Sequence, residues 1–174
     1  MAIYAIGDIH GSIKALKTIF NQGLIKEDDK VVFLGDYIDK GEDSKGVIDW
    51  LIEKSKIFDF EFILGNHEIM MTLAKSSPGK FVEWAGNYGG YHTLYSYKME
   101  DNLNWMNDID KTHWDFIDNC LPYLEIGAFI FVHAGLEKNK RLEDQNEHHL
   151  FHKKYEKPTI YDPNKIVICG HTAR

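Results

Sequence analysis

Cysteine is scarce: Cys120 and Cys169 are the only two in 174 residues. Two thiols make no disulfide framework, so both are expected to be reduced, at strand flanks or buried. Proline occurs only 4 times, and no linker, repeat or low-complexity tract interrupts the chain. No Lys/Arg-rich run occurs and the formal net charge is −7, which argues against charge-driven nucleic-acid binding. No apolar run approaches the ~20 residues needed to span a bilayer, and the first residues enter an apolar segment without a basic region or cleavage site. These absences predict a cytoplasmic protein with no membrane and no stable nucleic-acid partner, expected to be a monomer.

What remains is the make-up of an ordinary globule, 44% hydrophobic and 27% charged, of a length that suits one domain over residues 1–174. Ala2–Ile6 reads as a buried strand, and Val31–Leu34 and Phe60–Leu64 as further strands. Between them, Ser12–Asn21 reads as an amphipathic helix that Ser12 could cap, with Ile13, Leu16, Ile19 and Phe20 inward. Ser44–Lys56 reads as a second, with Val47, Ile48, Leu51 and Ile52 inward. A helix from about Glu68 to Lys75 follows. This alternation predicts parallel strands joined by right-handed crossovers. Residues from about 76 to 120 read as a helical cap, rich in aromatic residues from Phe81 to Tyr97, with a helix over Asp110–Asn119. Leu124–Ile126 and Ala128–Val132 read as a hairpin around Gly127, and Lys165–Cys169 as the last strand after a polar excursion, Glu137–Tyr161. The expected class is α/β, an α+β sandwich.

Five short motifs stand where apolar runs end: GDIHG (Gly7–Gly11), GDYIDKG (Gly35–Gly41), GNHE (Gly65–Glu68), HAG (His133–Gly135) and GHT (Gly170–Thr172). Strand C-termini along one edge of an α/β sheet are where such folds bind ligands. Here they deliver Asp8, His10, Asp36, Asn66, His133 and His171. Carboxylate oxygen and imidazole nitrogen together suit Mn²⁺, Fe²⁺ or Zn²⁺, and two such ions ~3.5–4 Å apart can activate water and polarise a phosphoryl group. One Asp after a strand is an ordinary turn or cap residue, and one His an ordinary surface residue. Six ligand-type residues at five strand ends are not.

The motifs, in this order, resemble those of the phosphoprotein phosphatase family within the calcineurin-like metallophosphoesterases, over nearly the whole chain. The resemblance implies two mixed β-sheets flanked by helices, with a helical cap insertion. It implies a first metal on Asp8, His10 and Asp36, and a second on Asp36, Asn66, His133 and His171, with Mn²⁺ the expected ion. A hydroxide shared by the ions would attack phosphorus, Asn66 would also touch the substrate, and His67, oriented and kept cationic by Asp39, would protonate the leaving group. The last motif lacks the second histidine of the G-H-x-H form, with Ala173 in its place, which resembles phosphatases more than nucleases or phosphodiesterases. The activity implied is a serine/threonine protein phosphatase. The alternatives are a symmetrical diadenosine tetraphosphate (Ap4A) hydrolase and a catalytically weak phosphate-binding regulator.

Two positions depart from the family pattern. Lys40 stands where an arginine usually grips phosphate, which keeps the charge and loses the bidentate fork. His152, within Leu150–Tyr155, stands where a second phosphate-binding arginine is expected, with Lys153 as the alternative. Relatives commonly continue past the final motif with further strands, so the chain is either truncated or naturally short, and the second would leave an exposed sheet edge or a missing wall of the site. Arg174 is a further candidate phosphate ligand. Trp84 and Tyr91 are the candidates for base stacking should the cap aromatics form a platform rather than a core.

Overall fold

The computed structural model describes residues 1–99, 104–154 and 160–172. Tyr155, Ala173 and Arg174 lie outside the described residues. The layering follows from the side-chain alternation of a single strand, β2 (Lys30–Phe33), because successive strand residues face opposite sides. Val31 and Phe33 join Leu16 of α1 (Ile13–Asn21) and Val47, Ile48 and Leu51 of α2 (Ser44–Lys54) in one apolar cluster. Val32, with Leu34 just beyond the strand, turns the other way onto Ile63 and Phe131. β1 (Ile3–Ile6) and β3 (Asp59–Phe62) flank β2 in parallel, in the order β1-β2-β3.

A second sheet receives Val32 and Leu34. β4 (Tyr123–Ile126) runs antiparallel to β5 (Phe129–Val132), and β6 (Ile166–Cys169) parallel to β5. Gly127 turns the β4–β5 hairpin with φ 59°, a conformation glycine adopts without penalty. Phe131 faces the first sheet, while Ile130 and Val132 face Leu150 and Phe151 of a π-helical turn, His148–His152. Two three-stranded sheets are thus stacked between helical layers, as expected for an α/β sandwich. Cys120 gives its thiol to the Phe116 carbonyl.

Between β3 and β4 lie α3 (Asn66–Ala74), α4 (Pro78–Asn87), α5 (Gly90–Ser96), α6 (Trp105–Asp108) and α7 (Lys111–Asp118). Ser77 caps α4 by accepting the Lys80 N–H, ahead of Pro78 at the first helical position. Trp84, Leu94, Trp105 and Ile117 are buried in the main core. That placement removes Trp84 as a stacking surface, while Tyr91 is 50% exposed.

Three local readings change. Ser12 precedes α1 without a side-chain capping bond. Ile19 is 39% exposed instead of inward. And α3 starts two residues earlier than its apolar pattern suggests, because the Glu68 side chain accepts the Gly65 N–H and closes the first turn around Asn66. Among the described residues no helix is long and apolar enough to cross a membrane.

Phe131 is 1% exposed at the contact between the sheets. Phe131→Ala should destabilise the fold by about 3–5 kcal/mol through the cavity it leaves, measured as a shift in the urea midpoint at unchanged slope.

Candidate metal centre

All five motif loops leave their strands at the same end, because β1, β2 and β3 are parallel to one another and β6 to β5. Main-chain bonds then lock loop to loop. His10 N–H donates to the Asp36 carbonyl at 2.8 Å, Gly11 N–H to the Tyr37 carbonyl at 2.8 Å, and Gly170 N–H to the His133 carbonyl at 2.9 Å. Gly35 (φ 94°) is required by space as well as by conformation, since a Cβ there would stand 2.6 Å from Gly65 Cα and 2.9 Å from His133 Nδ1.

The backbone is strained where the chemistry-bearing side chains project. Asp8, His10, Asp36, Asp39, Lys40 and His171 all have positive φ, between 44° and 71°. A non-glycine residue pays for that conformation, and such residues gather at functional sites where the surroundings over-determine them.

The imidazoles are aimed by their second nitrogens. His133 Nδ1 donates to the Leu34 carbonyl at 2.7 Å and His10 Nδ1 to the Ile38 carbonyl at 2.9 Å, so each Nε2 presents a lone pair. His133 Nε2 lies 2.9 Å from Asn66 Oδ1, 3.1 Å from His171 Nδ1 and 3.5 Å from Asp36 Oδ1. His10 Nε2 lies 3.6 Å from Asp36 Oδ2. Ligand atoms of Asp36, His133 and His171 fall within 4.8 Å of one another, and so do those of His10, Asp36 and His67. Asp8 stands beside these groups, both carboxylate oxygens accepting the His171 N–H at 3.1 and 2.8 Å.

Acceptors facing acceptors in a buried space call for a cation. Burial pushes His10 down to about 4 and His133 down to about 3, so both rings are neutral ligands at pH 7. Burial also raises the carboxyl of Asp36 well above the usual range, with Glu68's charge adding to it, and burial raises Asp8. Divalent ions would remove the cost of ionising these carboxylates. The donor set therefore fits divalent ions at two groups of atoms that share Asp36, one with His10 and His67 and the other with His133 and His171.

His67 is held differently. Its Nδ1 lies 2.7 Å from Asp39 Oδ2, and its Nε2 is left toward the centre, 3.9 Å from Asp36 Oδ2. Asp39 is fully buried and also accepts the Trp84 indole N–H at 2.9 Å and the Thr93 hydroxyl at 2.7 Å. Lys40 Nζ lies 2.9 Å from His10 Nε2. The Gly86–Gly90 stretch, a cap connection or a substrate loop by sequence, joins α4 to α5 and reaches the centre through Gly89, whose carbonyl accepts the Lys40 N–H at 3.4 Å. His152 is exposed, its ring stacked on His148 at 6.4 Å, while burial lowers the His171 ring below the usual histidine range. Leu150 ties that turn to the HAG loop by accepting the Ala134 N–H at 2.8 Å.

One site residue carries no role in the sequence reading. Glu68 Oε2 accepts the N–H groups of Asp36 (3.0 Å) and Gly65 (3.1 Å), and Oε1 those of Tyr37 (2.8 Å) and Ile38 (3.3 Å). Its position as the last letter of GNHE, an acid on an otherwise apolar helix face, was the available signal. Trp84 and Thr93 had none as partners of Asp39, being 45 and 54 residues away.

Two stacked sheets, one parallel where the resemblance implies a mixed sheet and one mixed, with this array at their strand ends define a metal-dependent phosphoester-binding fold. The chain belongs to the calcineurin-like phosphoesterase family, whose profile matches residues 1–174. It is similar to the serine/threonine-protein phosphatase PP2A-like PPG1 of Saccharomyces cerevisiae, 30% identical over 146 residues, covering 82% of this chain and 35% of that protein. It is also similar to the symmetrical bis(5'-nucleosyl)-tetraphosphatase of Nitrosospira multiformis, 26% identical over 139 residues, covering 78% of this chain and 44% of that protein. The chain thus spans less than half the length of these relatives. In fold it resembles the crystal structure of a putative diadenosine tetraphosphatase, with TM-score 0.61 at 20% identity, covering 86% of this chain and 61% of that one.

Glu68→Gln replaces one of two accepting oxygens with a donor facing two N–H groups. It should cost roughly 2–4 kcal/mol of stability, read by urea unfolding, and weaken Mn²⁺ binding by loosening the Asp36 loop. In metal-free protein, proton NMR should find His10 titrating near 4 and His133 near 3. Because the unfolded chain takes up these protons at about 6.5, the two rings lower stability progressively as pH falls from 6.5 to those values.

Proposed function

We propose that this chain is a metal-dependent phosphomonoester hydrolase acting on phosphoserine and phosphothreonine in proteins. The observation that carries this reading is the His67–Asp39 pair, with His67 Nε2 facing the array that fits two ions. Asp39 holds the proton of His67 on Nδ1, so Nε2 is the atom that transfers a proton to a departing alkoxide. Trp84 and Thr93 keep Asp39 from rotating, which fixes the direction of that transfer. Two divalent ions, Mn²⁺ by preference, would supply Lewis acidity and lower the pKa of water. The ligands proposed are Asp8, His10 and Asp36 for one ion and Asp36, Asn66, His133 and His171 for the other.

Phosphate binding falls to lysine. The chain has two arginines, Arg141 and Arg174, and Arg141 is exposed and paired with Glu143 and Asp144. We assign the phosphate contacts to Lys40, whose ammonium lies 2.9 Å from His10 Nε2, with Asn66 and His152 as further contacts. A monodentate lysine grips phosphate less tightly than a guanidinium fork, so weak substrate affinity is part of the proposal. We place the activity in the cytoplasm, in a monomer.

The second reading is symmetrical Ap4A hydrolysis, favoured by the Nitrosospira relative's match over 78% of this chain. Phosphate release from a phosphoserine peptide and ADP formation from Ap4A, each with Mn²⁺ and with EDTA, separate the two. Metal-dependent phosphate release without ADP formation supports the first reading, and the converse supports the second. Turnover of neither, with ions bound, would leave a phosphate-binding regulator. His67→Ala should lower turnover of alkyl phosphate esters by about 100-fold or more and that of p-nitrophenyl phosphate, whose leaving group needs little protonation, far less. Equal losses on both would remove the proton-donor role.

A further inference from the structure

Lys40 has a partner that a phosphate-gripping residue does not need. Its ammonium nitrogen lies 2.9 Å from His10 Nε2, and that nitrogen is a lone pair because His10 Nδ1 donates to the Ile38 carbonyl at 2.9 Å. The ammonium therefore donates into the atom that would bind an ion. Nor is the arrangement loosely made. Asp39 and Lys40 are consecutive non-glycine residues with φ 71° and 63°, a costly backbone for both. The Gly89 carbonyl receives the Lys40 N–H, and a Cβ on Gly89 would stand 2.9 Å from that nitrogen. The side chain itself is exposed.

The other half of the centre differs. His133 Nε2, His171 Nδ1, Asn66 Oδ1 and Asp36 Oδ1 face one another, and among the described residues no ammonium bonds to any of them. Lys154 acts on His171 only through space.

We propose that Lys40 is an internal cation that occupies the His10 position of the metal-free centre and so orders loading. The side formed by Asn66, His133 and His171 fills first, and the side formed by Asp8 and His10 fills second, after the lysine is displaced. The displaced ammonium then turns toward the open side of the centre, where a substrate phosphate would be met. One side chain thus has two successive partners, a histidine nitrogen before loading and a phosphate after it. This inference rests on the metal-centre reading above.

The test is Mn²⁺ titration of the metal-free full chain, followed by calorimetry and by electron paramagnetic resonance of the free ion, for the unchanged protein and for Lys40→Met. The unchanged protein should bind two equivalents of distinct affinity. In Lys40→Met the weaker equivalent should tighten roughly tenfold, about the worth of one net hydrogen bond, while the tighter equivalent moves less than about twofold. Equal tightening of both would show only the general field of a removed charge and would overturn the proposal, as would no change. No Mn²⁺ binding to either protein would overturn the metal-centre reading and the proposal with it. A measurement on the unsubstituted protein removes any dependence on how the variant folds. Nitrogen-15 NMR should show a hydrogen-bonded Lys40 ammonium against His10 Nε2 in the metal-free state, lost only at the second equivalent of Zn²⁺. A freely exchanging Lys40 ammonium in the metal-free state would equally overturn the proposal.

Discussion

A single buried carboxylate holds the centre together. Glu68 gathers the N–H groups of Gly65, Asp36, Tyr37 and Ile38 onto its two oxygens, and so ties the loop after β2 to the first turn of α3. Each of those N–H groups has left its strand and would otherwise be buried without a partner, at a cost of about 1–3 kcal/mol apiece. Burial raises Glu68 to about 6, while the N–H donors of Asp36 and Tyr37 favour its charged form, and that charge acts on Asp36. The acidity that destabilises the metal-free centre is what would make it attract divalent ions. Fold and site are therefore not separable at this point: the residue that closes the helix also sets the electrostatics.

A second layer of support comes from the helical insertion. Asp39 would be an uncompensated buried carboxylate without the Trp84 indole, the Thr93 hydroxyl and the His67 ring. Two of those three partners come from α4 and α5, which by position in the chain are only an excursion between two sheets. The insertion thus orients the His67 ring through Asp39, and reaches the centre again where Gly89 meets Lys40. The relation to the curated relatives fits this arrangement. The chain spans 35% and 44% of their lengths, yet all five loops and the insertion that braces them fall within residues 1–174, which the family profile matches.

Much of this was legible from residue types in order. Apolar runs such as KVVF and FIFV could be strands in almost any fold, but each is followed within a few residues by a metal-ligand type, and that coincidence repeats five times along the chain. Periodicity located α1, α2 and α7 within a residue or two, because amphipathic spacing is a local property. It misjudged the start of α3, where a side chain rather than an apolar pattern closes the first turn, and it placed Ile19 inward on a stripe wider than the core it meets. The aromatic residues of the insertion could be read as a core or as a stacking platform. Trp84's burial against Asp39 decided for core at that position.

The sequence by itself determined the fold class, the family and the set of atoms able to hold ions, because these depend on side-chain chemistry placed at strand ends and on spacings of a few residues. Only the tertiary structure decided how those atoms are used. Which imidazole nitrogen faces the centre depends on carbonyls of Leu34 and Ile38, 99 and 28 residues away in the chain. That Asp8 accepts the His171 N–H depends on a separation of 163 residues. The left-handed backbone at Asp39 and Lys40, which aims the ammonium at His10, survives because a distant glycine packs against it. Contacts between residues so far apart have no local signature, since each is fixed by how the two sheets and the insertion close around the loops.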